Sequence, residues 1–468
     1  MSANANEFQG GKMKTNGEND LAYAGYRTEI NGHPDIDITQ TGRGTPGGEY
    51  LRRFWHPVAY ESEISAAPFR VRALGEDLVV FRDKSGAVGV LHLHCSHRGT
   101  SLEYGRVEEH GIRCCYHGRV FGVDGTVLEM PGERAAERLC KEYKQGAYPA
   151  HLFGGMVFAY MGPLELKPPF PMYDKYDIPG MKIAPGPRMP FACNWVQVKE
   201  NAMDPAHTAI LHAWEGRFAD EFAQFPEITW VETPVGMAYL AARHVHNKVW
   251  VRSTDILAPN IHSLTSVFES GETLKECSPP WMTIWTTPVD DHACVNFGLC
   301  HLRADDHTPN DVRNRAMLAA GGQTEDRPYA ERQRIPGDYD AMVSQGSIAS
   351  HSLEQLGTLD QGVVMFRRQL RQAIKDVQAG RDPHGLIRSS GVVPTYGSDQ
   401  IVEASSVPGN PDDPEVLMAH ARRVAEQYLK SPPLQGKKIP PLPPMPAHAF
   451  APAGTRGGGQ KAPANADA

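Results

Sequence analysis

The sequence predicts an α+β fold in which two β-rich regions are followed by a strong helix. Residues 56–165 contain short apolar runs separated by turn signals such as Asp83–Gly86 and Asp124-Gly125, a pattern typical of an all-β domain. Residues 227–302 contain longer runs that alternate between apolar and polar side chains, which predicts an antiparallel sheet. Residues 360–380 place apolar side chains three or four positions apart, and we expect a helix with one buried face.

These patterns divide the 468-residue chain into four parts. Residues 1–40 are polar and rich in Asn and Gly, and we expect a disordered arm. Residues 41–165 form the first domain, which opens with a short docking helix. After a Pro-rich linker over residues 163–190, the second domain runs from 166 to 430 as an antiparallel sheet with flanking helices; residues 431–468 form a Pro/Gly/Ala-rich tail.

The composition limits the classes of function that the chain can have. A hydrophobic content of 41% and a charged content of 22% are ordinary for a globular protein. The formal net charge of −8 gives no electrostatic reason to expect a nucleic-acid partner. The N-terminal segment lacks the apolar core of a signal peptide, and no run reaches the length of a membrane span. We therefore expect a cytoplasmic protein with no membrane partner, whose remaining cysteines are reduced thiols.

Two pairs of metal-binding side chains lie close together in the first domain. They are Cys95 with His97, and Cys114 with His117. Two thiolates and two imidazoles can hold a tetrahedral zinc ion, or they can hold a Rieske [2Fe–2S] cluster in which one iron has two histidine ligands. Each pair contains one cysteine and one histidine, so each short turn would offer one ligand to each iron.

A second group of metal-binding side chains opens the second domain. On a regular helix Asp204 and His207 would share a face, whereas His212, five residues beyond His207, would point about 140° away. The helix must therefore end, kink or bulge if both histidines bind one metal. Two histidines and a carboxylate form the facial triad of non-haem Fe(II) oxygenases.

Several motifs resemble those of one family, the Rieske non-haem iron aromatic-ring-hydroxylating oxygenases. The C-x-H-R-G run from Cys95 and the C-x-Y-H-G run ending at Gly118 are similar to the family's cluster motif. The run Glu200-Asn201-x-x-Asp204-x-x-His207-x4-His212 is similar to its iron motif. The segments 42–57 and 124–133 resemble the phthalate-dioxygenase-like group, and the chain departs from the family at Arg119, where Trp is usual, and at Cys115, where Pro is common.

The resemblance implies an alpha (terminal oxygenase) subunit with a Rieske domain and a helix-grip-like catalytic domain. It implies that His207 and His212 bind a mononuclear Fe(II) together with a carboxylate far downstream, at the head of a helix. We expect that carboxylate to be Asp360, with Glu354 as the alternative. Asp204 would instead connect this iron to the Rieske histidine of a neighbouring subunit and carry electrons across the interface.

The resemblance also implies the partners. O2 is the co-substrate, and the family's head-to-tail ring of subunits predicts a homotrimer. The sequence contains no G-x-G-x-x-G after a strand with the usual downstream acid, so NAD(P)H would act only indirectly, through a reductase with or without a ferredoxin.

The substrate expected from the resemblance is an aromatic carboxylate, oxidised by ring hydroxylation or by O-demethylation, and a lignin-derived methoxylated biaryl acid is one candidate. An anionic substrate favours a guanidinium in the pocket, and Arg243 and Arg252 are candidates on predicted strands. Two alternatives stay open: N- or O-dealkylation of a non-acidic substrate, and a zinc-stabilised binding protein with no enzymatic role.

Overall fold

The computed structural model describes residues 24–26, 28–213, 220–265, 274–321, 324–435 and 439. Nine α-helices lie in this part of the chain: α1 (Ile36–Thr39), α2 (Pro46–Leu51), α3 (Ala136–Glu142), α4 (Trp195–Ala202), α5 (Asn310–Gly321), α6 (Tyr329–Arg334), α7 (Asp338–Val343), α8 (Gln361–Gln378) and α9 (Pro414–Lys430). None of the helices described there is both long and apolar enough to cross a bilayer.

The first domain consists of short strands in three antiparallel sheets, as the sequence predicts. The strands are β1 (Trp55–Tyr60), β2 (Phe69–Ala73), β3 (Glu76–Arg82), β4 (Val88–His92), β5 (Arg106–Val107), β6 (Ile112–Arg113), β7 (Val120–Phe121), β8 (Val127–Glu129), β9 (Ala147–Tyr148), β10 (Ala150–Phe153) and β11 (Met156–Tyr160). They pair in the orders β1-β11-β10, β2-β3-β4-β9 and β5-β6-β7-β8.

One large antiparallel sheet dominates the second domain. The remaining strands are β12 (Met172–Tyr173), β13 (Met181–Phe191), β14 (Glu227–Thr233), β15 (Gly236–Val245), β16 (Lys248–Leu257), β17 (Ile261–Leu264), β18 (Met282–Asp290), β19 (Ala293–Arg303), β20 (Val392–Val393) and β21 (Gln400–Glu403). The sheet order is β13-β19-β18-β17-β16-β15-β14, and β21 pairs with β16.

Both faces of the large sheet are buried, and the alternation along β15 shows how. Tyr239 and Ala241 belong to a core that includes residues of α4 and α8, whereas Leu240 and Ala242 belong to a core that includes residues of α9. Successive side chains of a strand point to opposite faces of the sheet. The layer with α4 and α8 therefore covers Tyr239 and Ala241, and the layer with α9 covers Leu240 and Ala242. The helix predicted over residues 360–380 is confirmed as α8, with its apolar positions buried.

Two local differences from the sequence-based description have physical causes. Residues 28–40, expected to be disordered, are held by the buried Ile38 and by an ion pair between Asp35 and Arg371. The expected linker contains β13, which tolerates three prolines because it is an edge strand of the sheet. Residues 1–23 and most of the predicted tail lie outside the described residues.

Candidate active site

Two loops of the first domain share one hydrogen-bonding pattern. The Cys95 amide donates to the Thr100 carbonyl and the Gly99 amide donates to the Cys95 carbonyl, at 2.9 and 2.8 Å. In the second loop Cys114 stands in the same relation to Arg119 and Gly118, at 2.8 and 3.1 Å. Both glycines have positive φ, 76° and 71°, which a residue without Cβ adopts at no steric cost. The two motifs thus form matched turns.

The matched turns place the two cysteines next to each other and the two histidines next to each other. The Cys95 and Cys114 thiols are buried and lie within hydrogen-bonding distance of each other, and the amides of His97 and Arg98 donate to the Cys95 sulfur. The His97 and His117 rings are exposed, with centroids 4.6 Å apart. Cysteine therefore meets cysteine and histidine meets histidine, which fits a cluster with two thiolates on one iron and two imidazoles on the other.

Neighbouring side chains hold these loops in place. The Gln145 amide donates to the carbonyls of His92 and His94 and accepts from the Ser96 amide, so it fixes the first loop from both sides. Arg119, which stands where Trp is usual, places its guanidinium carbon 5.6 Å from the centre of the Tyr143 ring. A cation–π pair thus packs the Tyr143 ring beside the second loop.

The two histidines of the second domain lie beyond the end of a regular helix. The helix α4 ends at Ala202, His207 begins a 3₁₀ turn that ends at Ala209, and His212 follows in a further turn. This break in the helix, which the five-residue spacing predicts, brings the two Nε2 atoms to 3.2 Å from each other. The expected irregularity between the histidines is confirmed.

The third side chain at this point is Asp338, the first residue of α7. Its Oδ1 lies 3.0 Å from Nε2 of His212 and 3.4 Å from Nε2 of His207. Ligands at right angles around a metal with bonds of about 2.1 Å are about 3.0 Å apart, so the three atoms match one face of an octahedral site. These residues fit a mononuclear iron.

Strong electrostatic coupling accompanies this geometry. Burial acts to lower the pKa of His207, but the carboxylates of Asp204 and Asp338 outweigh it and raise the pKa to about 10. Burial dominates at His212, whose pKa is lowered. The pKa of Asp338 lies well below its usual range, because the two histidines facing it outweigh its own burial. The two histidines thus hold the Asp338 carboxylate in its ionised form.

The sequence-based choice of Asp360 for the third ligand must be corrected. Asp360 precedes α8 and its carboxylate accepts from the Gly357 amide at 2.6 Å, which is the structural role of a turn residue. The alternative, Glu354, is bound instead by the guanidinium of Arg367, which also binds Glu200. Neither carboxylate belongs to the group formed by His207 and His212.

Sequence reasoning contained the signal that finds Asp338. The expected ligand lies at the head of a helix, and Asp338 and Asp340, which directly follow Pro336-Gly337, are acidic residues of the kind that favour a first helical turn. Residues 303–350 are polar and rich in Asp, so their pattern does not predict the short helix α7. The strongly amphipathic α8 instead predicts a helix start at Asp360.

Asp204 lies beside the triad without joining it. Its Oδ2 is 3.7 Å from Nδ1 of His207, on the opposite side of the ring from the atom that faces Asp338. Its Oδ1 accepts from the amides of Ala206 and His207. A carboxylate behind a ligating histidine orients the ring, and a third of the Asp204 side chain stays exposed at 33%.

A cavity with about 1060 Å³ of empty space, part of it open to solvent, reaches the triad. Its walls are mainly apolar, and include Met189, Phe191, Val198, Leu264, Trp281, Met282, Ile284, Met317 and Met342. Asp204 and Asp338 are the only acids that line it among the described residues. A cavity of this kind suits a small, largely apolar molecule with few polar groups.

The two candidate arginines have different positions. Arg252 lines the cavity, is 5% exposed, and donates to Thr265 Oγ1 at 3.2 Å. Arg243 is not among the lining residues; it donates to the Gln224 carbonyl and, at 3.0 Å, to Thr208 Oγ1. Of the two expected substrate-binding arginines, only Arg252 therefore lines the cavity, whereas the guanidinium of Arg243 supports the residue next to His207.

Fold and site together define an oxygenase with two iron centres, and comparisons with known proteins agree. Residues 54–144 match the Rieske [2Fe–2S] domain. The chain is 40% identical to the tert-butanol monooxygenase / tert-amyl alcohol desaturase oxygenase subunit of Aquincola tertiaricarbonis, with 86% of this chain and 91% of that one covered. It is 38% identical to the phenoxybenzoate dioxygenase subunit alpha of Ectopseudomonas oleovorans, with coverage of 76% and 88%.

Two further proteins extend the comparison. The chain is 31% identical to the 5,5'-dehydrodivanillate O-demethylase oxygenase subunit of Sphingobium sp. (strain NBRC 103272 / SYK-6), with coverage of 78% and 87%. A crystal structure of dicamba monooxygenase with non-haem iron and dicamba has the same fold, with a TM-score of 0.51, 17% identity, and coverage of 71% and 99%.

The chain belongs to the Rieske non-haem iron oxygenases and is an alpha, or terminal oxygenase, subunit. Its cofactors are a [2Fe–2S] Rieske cluster and a mononuclear iron, and it consumes O2 as an oxidoreductase. It is one component of a multicomponent system that draws electrons from a reductase, a ferredoxin or both. The alternative of a non-enzymatic zinc-binding protein is overturned by this membership.

Proposed function

We propose that this subunit oxidises an aromatic carboxylate, by ring hydroxylation or by O-demethylation, with a lignin-derived methoxylated biaryl acid as one such substrate. The observation that supports the proposal most directly is the buried guanidinium of Arg252 in the cavity wall. Among the described residues no carboxylate pairs with Arg252. A buried cation without an anionic partner is unfavourable, so a substrate anion would supply the missing charge.

Each residue set has a defined task in this proposal. Cys95, His97, Cys114 and His117 hold the cluster, and His207, His212 and Asp338 hold the mononuclear iron. Iron bound there would activate O2 next to the substrate. The apolar cavity walls exclude water and orient the ring, while Arg252 fixes the carboxylate.

We infer that electrons pass between subunits of a homotrimer, through Asp204. Exposed His97 and His117 edges, together with the partly exposed Asp204 carboxylate, fit a transfer across an interface. The cysteines are free thiols in the described part of the chain, which fits the cytoplasmic location that we propose.

A second candidate is oxidation of a non-acidic substrate, either by N- or O-dealkylation or at a tertiary alcohol. The relative with 40% identity over 435 residues is named for tert-butanol and tert-amyl alcohol. The mainly aliphatic and Met-rich cavity wall is compatible with such small molecules.

Turnover of a matched substrate panel tests the proposal. The wild-type holoenzyme with its reductase is given 4-methoxybenzoate, 4-methylanisole and tert-amyl alcohol, and formaldehyde and hydroxylated products are measured. We expect the acid to be preferred, and Arg252→Met to raise KM for the acid about 10-fold or more while leaving KM for 4-methylanisole unchanged. Turnover of the alcohol but not of the acid would overturn the first candidate in favour of the second.

A further inference from the structure

A second pair of buried polar side chains adjoins the cavity. Nζ of Lys199, on α4, lies 2.6 Å from Nδ1 of His262, on β17. Lys199 is 0% exposed and His262 is 6% exposed. His262 lines the cavity and Lys199 does not, so the histidine ring stands between the lysine and the substrate space.

Among the described residues no carboxylate forms a hydrogen bond or ion pair with Lys199 or His262, and the Asp338 carboxylate acts on His262 only through space. The only hydrogen bond of the Lys199 side chain there is to His262. Burial lowers the pKa of Lys199 well below its ordinary value, and burial together with the neighbouring Lys199 and Lys175 does the same to the pKa of His262. Lys175 provides a contrast, because it is equally buried but lies 3.9 Å from the Asp255 carboxylate.

The contact between the two side chains defines how the ring is used. Nζ of Lys199 carries hydrogens whether or not it is charged, so it can donate to Nδ1 of the neutral His262 ring. In that arrangement the ring carries its own hydrogen on Nε2. Among the described residues Nε2 has no hydrogen-bond partner.

We propose that Lys199 and His262 form a polarised donor that binds an oxygen atom of the substrate. His262 is the residue that contacts the substrate, and Lys199 is a positioning residue that fixes the tautomer of its ring. The group that is bound is a hydrogen-bond acceptor: a carboxylate, a hydroxyl or a carbonyl oxygen.

This inference rests on the proposed function in that the cavity is the substrate site, but it is separate from the choice of substrate. Arg252 would favour anions alone, whereas a neutral Nε2–H donor would favour any oxygen acceptor over a methyl group of the same size. A carboxylate can engage both donors, and an alcohol can engage only His262.

Kinetics with two substrate pairs, each differing only in whether a polar oxygen group or a methyl group stands at one position, test the roles of Lys199 and His262 directly. The holoenzyme and its Lys199→Met and His262→Leu variants are compared on 4-methoxybenzoate against 4-methylanisole, and on tert-amyl alcohol against 2,2-dimethylbutane. We expect each variant to lower kcat/KM for 4-methoxybenzoate and for tert-amyl alcohol by about 10-fold or more, mainly through KM. For 4-methylanisole and 2,2-dimethylbutane we expect kcat/KM to stay within about twofold of the wild-type value. His262→Gln, which keeps an N–H donor, should recover part of the loss.

Thermal unfolding separates this role from a structural one. Replacing a buried amine that has no carboxylate partner with an apolar residue of similar size should leave the Tm of Lys199→Met unchanged or higher. Lys175→Met, the matched control, should have a lower Tm because it leaves Asp255 without its partner.

Three results would overturn the inference. They are equal losses on both members of each substrate pair, a Tm of Lys199→Met that falls as far as that of Lys175→Met, and a preference of the wild-type enzyme for N–H-bearing analogues, which would mean that Nε2 is an acceptor. If the acid is not turned over but the alcohol pair shows the expected loss, the proposed substrate class fails and the donor pair stands.

Discussion

The third iron ligand shows how much depends on a single residue. Asp338 and Asp360 each stand at the start of a helix, but only Asp338 lies within 3.4 Å of both histidine Nε2 atoms. The Asp338 carboxylate is therefore placed to bind a metal, whereas the Asp360 carboxylate accepts a hydrogen bond from the Gly357 amide.

Replacing these two residues in parallel tests the ligand set. We expect Asp338→Ala to lose the mononuclear iron, so that iron falls from about three to about two per chain while the reduced-Rieske EPR signal persists. Activity should fall by more than the roughly 10–100-fold typical of losing an outer-shell partner. Asp360→Ala is the control and should keep its iron; loss of iron from this variant instead would restore Asp360 as the ligand.

For Asp204 we predict a different result, because its carboxylate lies beside His207 but is not one of the three proposed iron ligands. We expect Asp204→Asn to retain both metal centres and to lose nearly all turnover, since the amide preserves the size of the side chain but removes its charge. Iron and sulfide analysis checks the metals. Rapid-freeze EPR after mixing the reduced protein with substrate and O2 should show that the cluster stays reduced. Normal cluster oxidation in this variant would exclude the electron-transfer role.

Sequence and structure agree best where the chemistry is local. The four cluster side chains lie within 23 consecutive residues, and both turns form from hydrogen bonds inside five or six residues, so the motif predicts its own geometry. Asp338 stands 126 positions from His212, and only the folded sheet brings the two together. Arg243 and Arg252 both lie on predicted strands, and their separate roles depend on the position of the cavity along those strands.

At the scale of elements, one acidic residue connects the end of α2 with the strands β3, β4 and β9. Glu76, which begins β3, accepts from Nη2 of Arg52 at 2.7 Å and from the Tyr148 hydroxyl at 2.5 Å, and lies 3.3 Å from Nε2 of His92. Burial alone would raise its pKa, but the hydrogen bonds from His92, Arg52 and Tyr148 lower the pKa to about 2.

The sign of this shift gives a pH prediction. A carboxyl whose folded pKa is about 2, below its ordinary 4.5, stabilises the fold above the ordinary value and loses that contribution as the pH falls toward 2. Glu76→Gln should therefore lower the free energy of unfolding by about 1–3 kcal/mol at pH 7, with the difference shrinking below pH 4.5. Urea unfolding of both proteins at several pH values measures it. A difference independent of pH would show that shape, not charge, matters at this position.

At the scale of the whole molecule, the exposure of the cluster histidines bears on assembly. His97 and His117 are exposed while the cysteines are buried, so the electron-donating edge of the domain faces outward. In a closed head-to-tail ring such an edge meets the next copy of the chain. We expect an oligomer of about three times the 51.5 kDa chain mass.

Hybrid oligomers test whether electrons cross between copies. His117→Ala lacks a working cluster and His207→Ala lacks a working mononuclear site, so each variant alone should be inactive. Coexpressed with different affinity tags and purified as mixed oligomers, they should recover roughly a tenth or more of wild-type activity, because the intact cluster of one copy can serve the intact iron of its neighbour. Inactive hybrids, shown by light scattering to be properly assembled, would mean that transfer stays within one chain.

The unequal spacing of the two ligand sets has a consequence for how the enzyme matures. Closing a short loop costs less entropy than bringing together residues more than a hundred positions apart, so local contacts form earlier in folding. The matched cysteine–histidine turns can accept their cluster once the first domain has folded, whereas the three mononuclear ligands meet only after the chain has been completed as far as α7. Cells short of iron should therefore accumulate a red-brown protein that has its cluster and sulfide but lacks the last iron, and adding Fe(II) to that protein should switch it on.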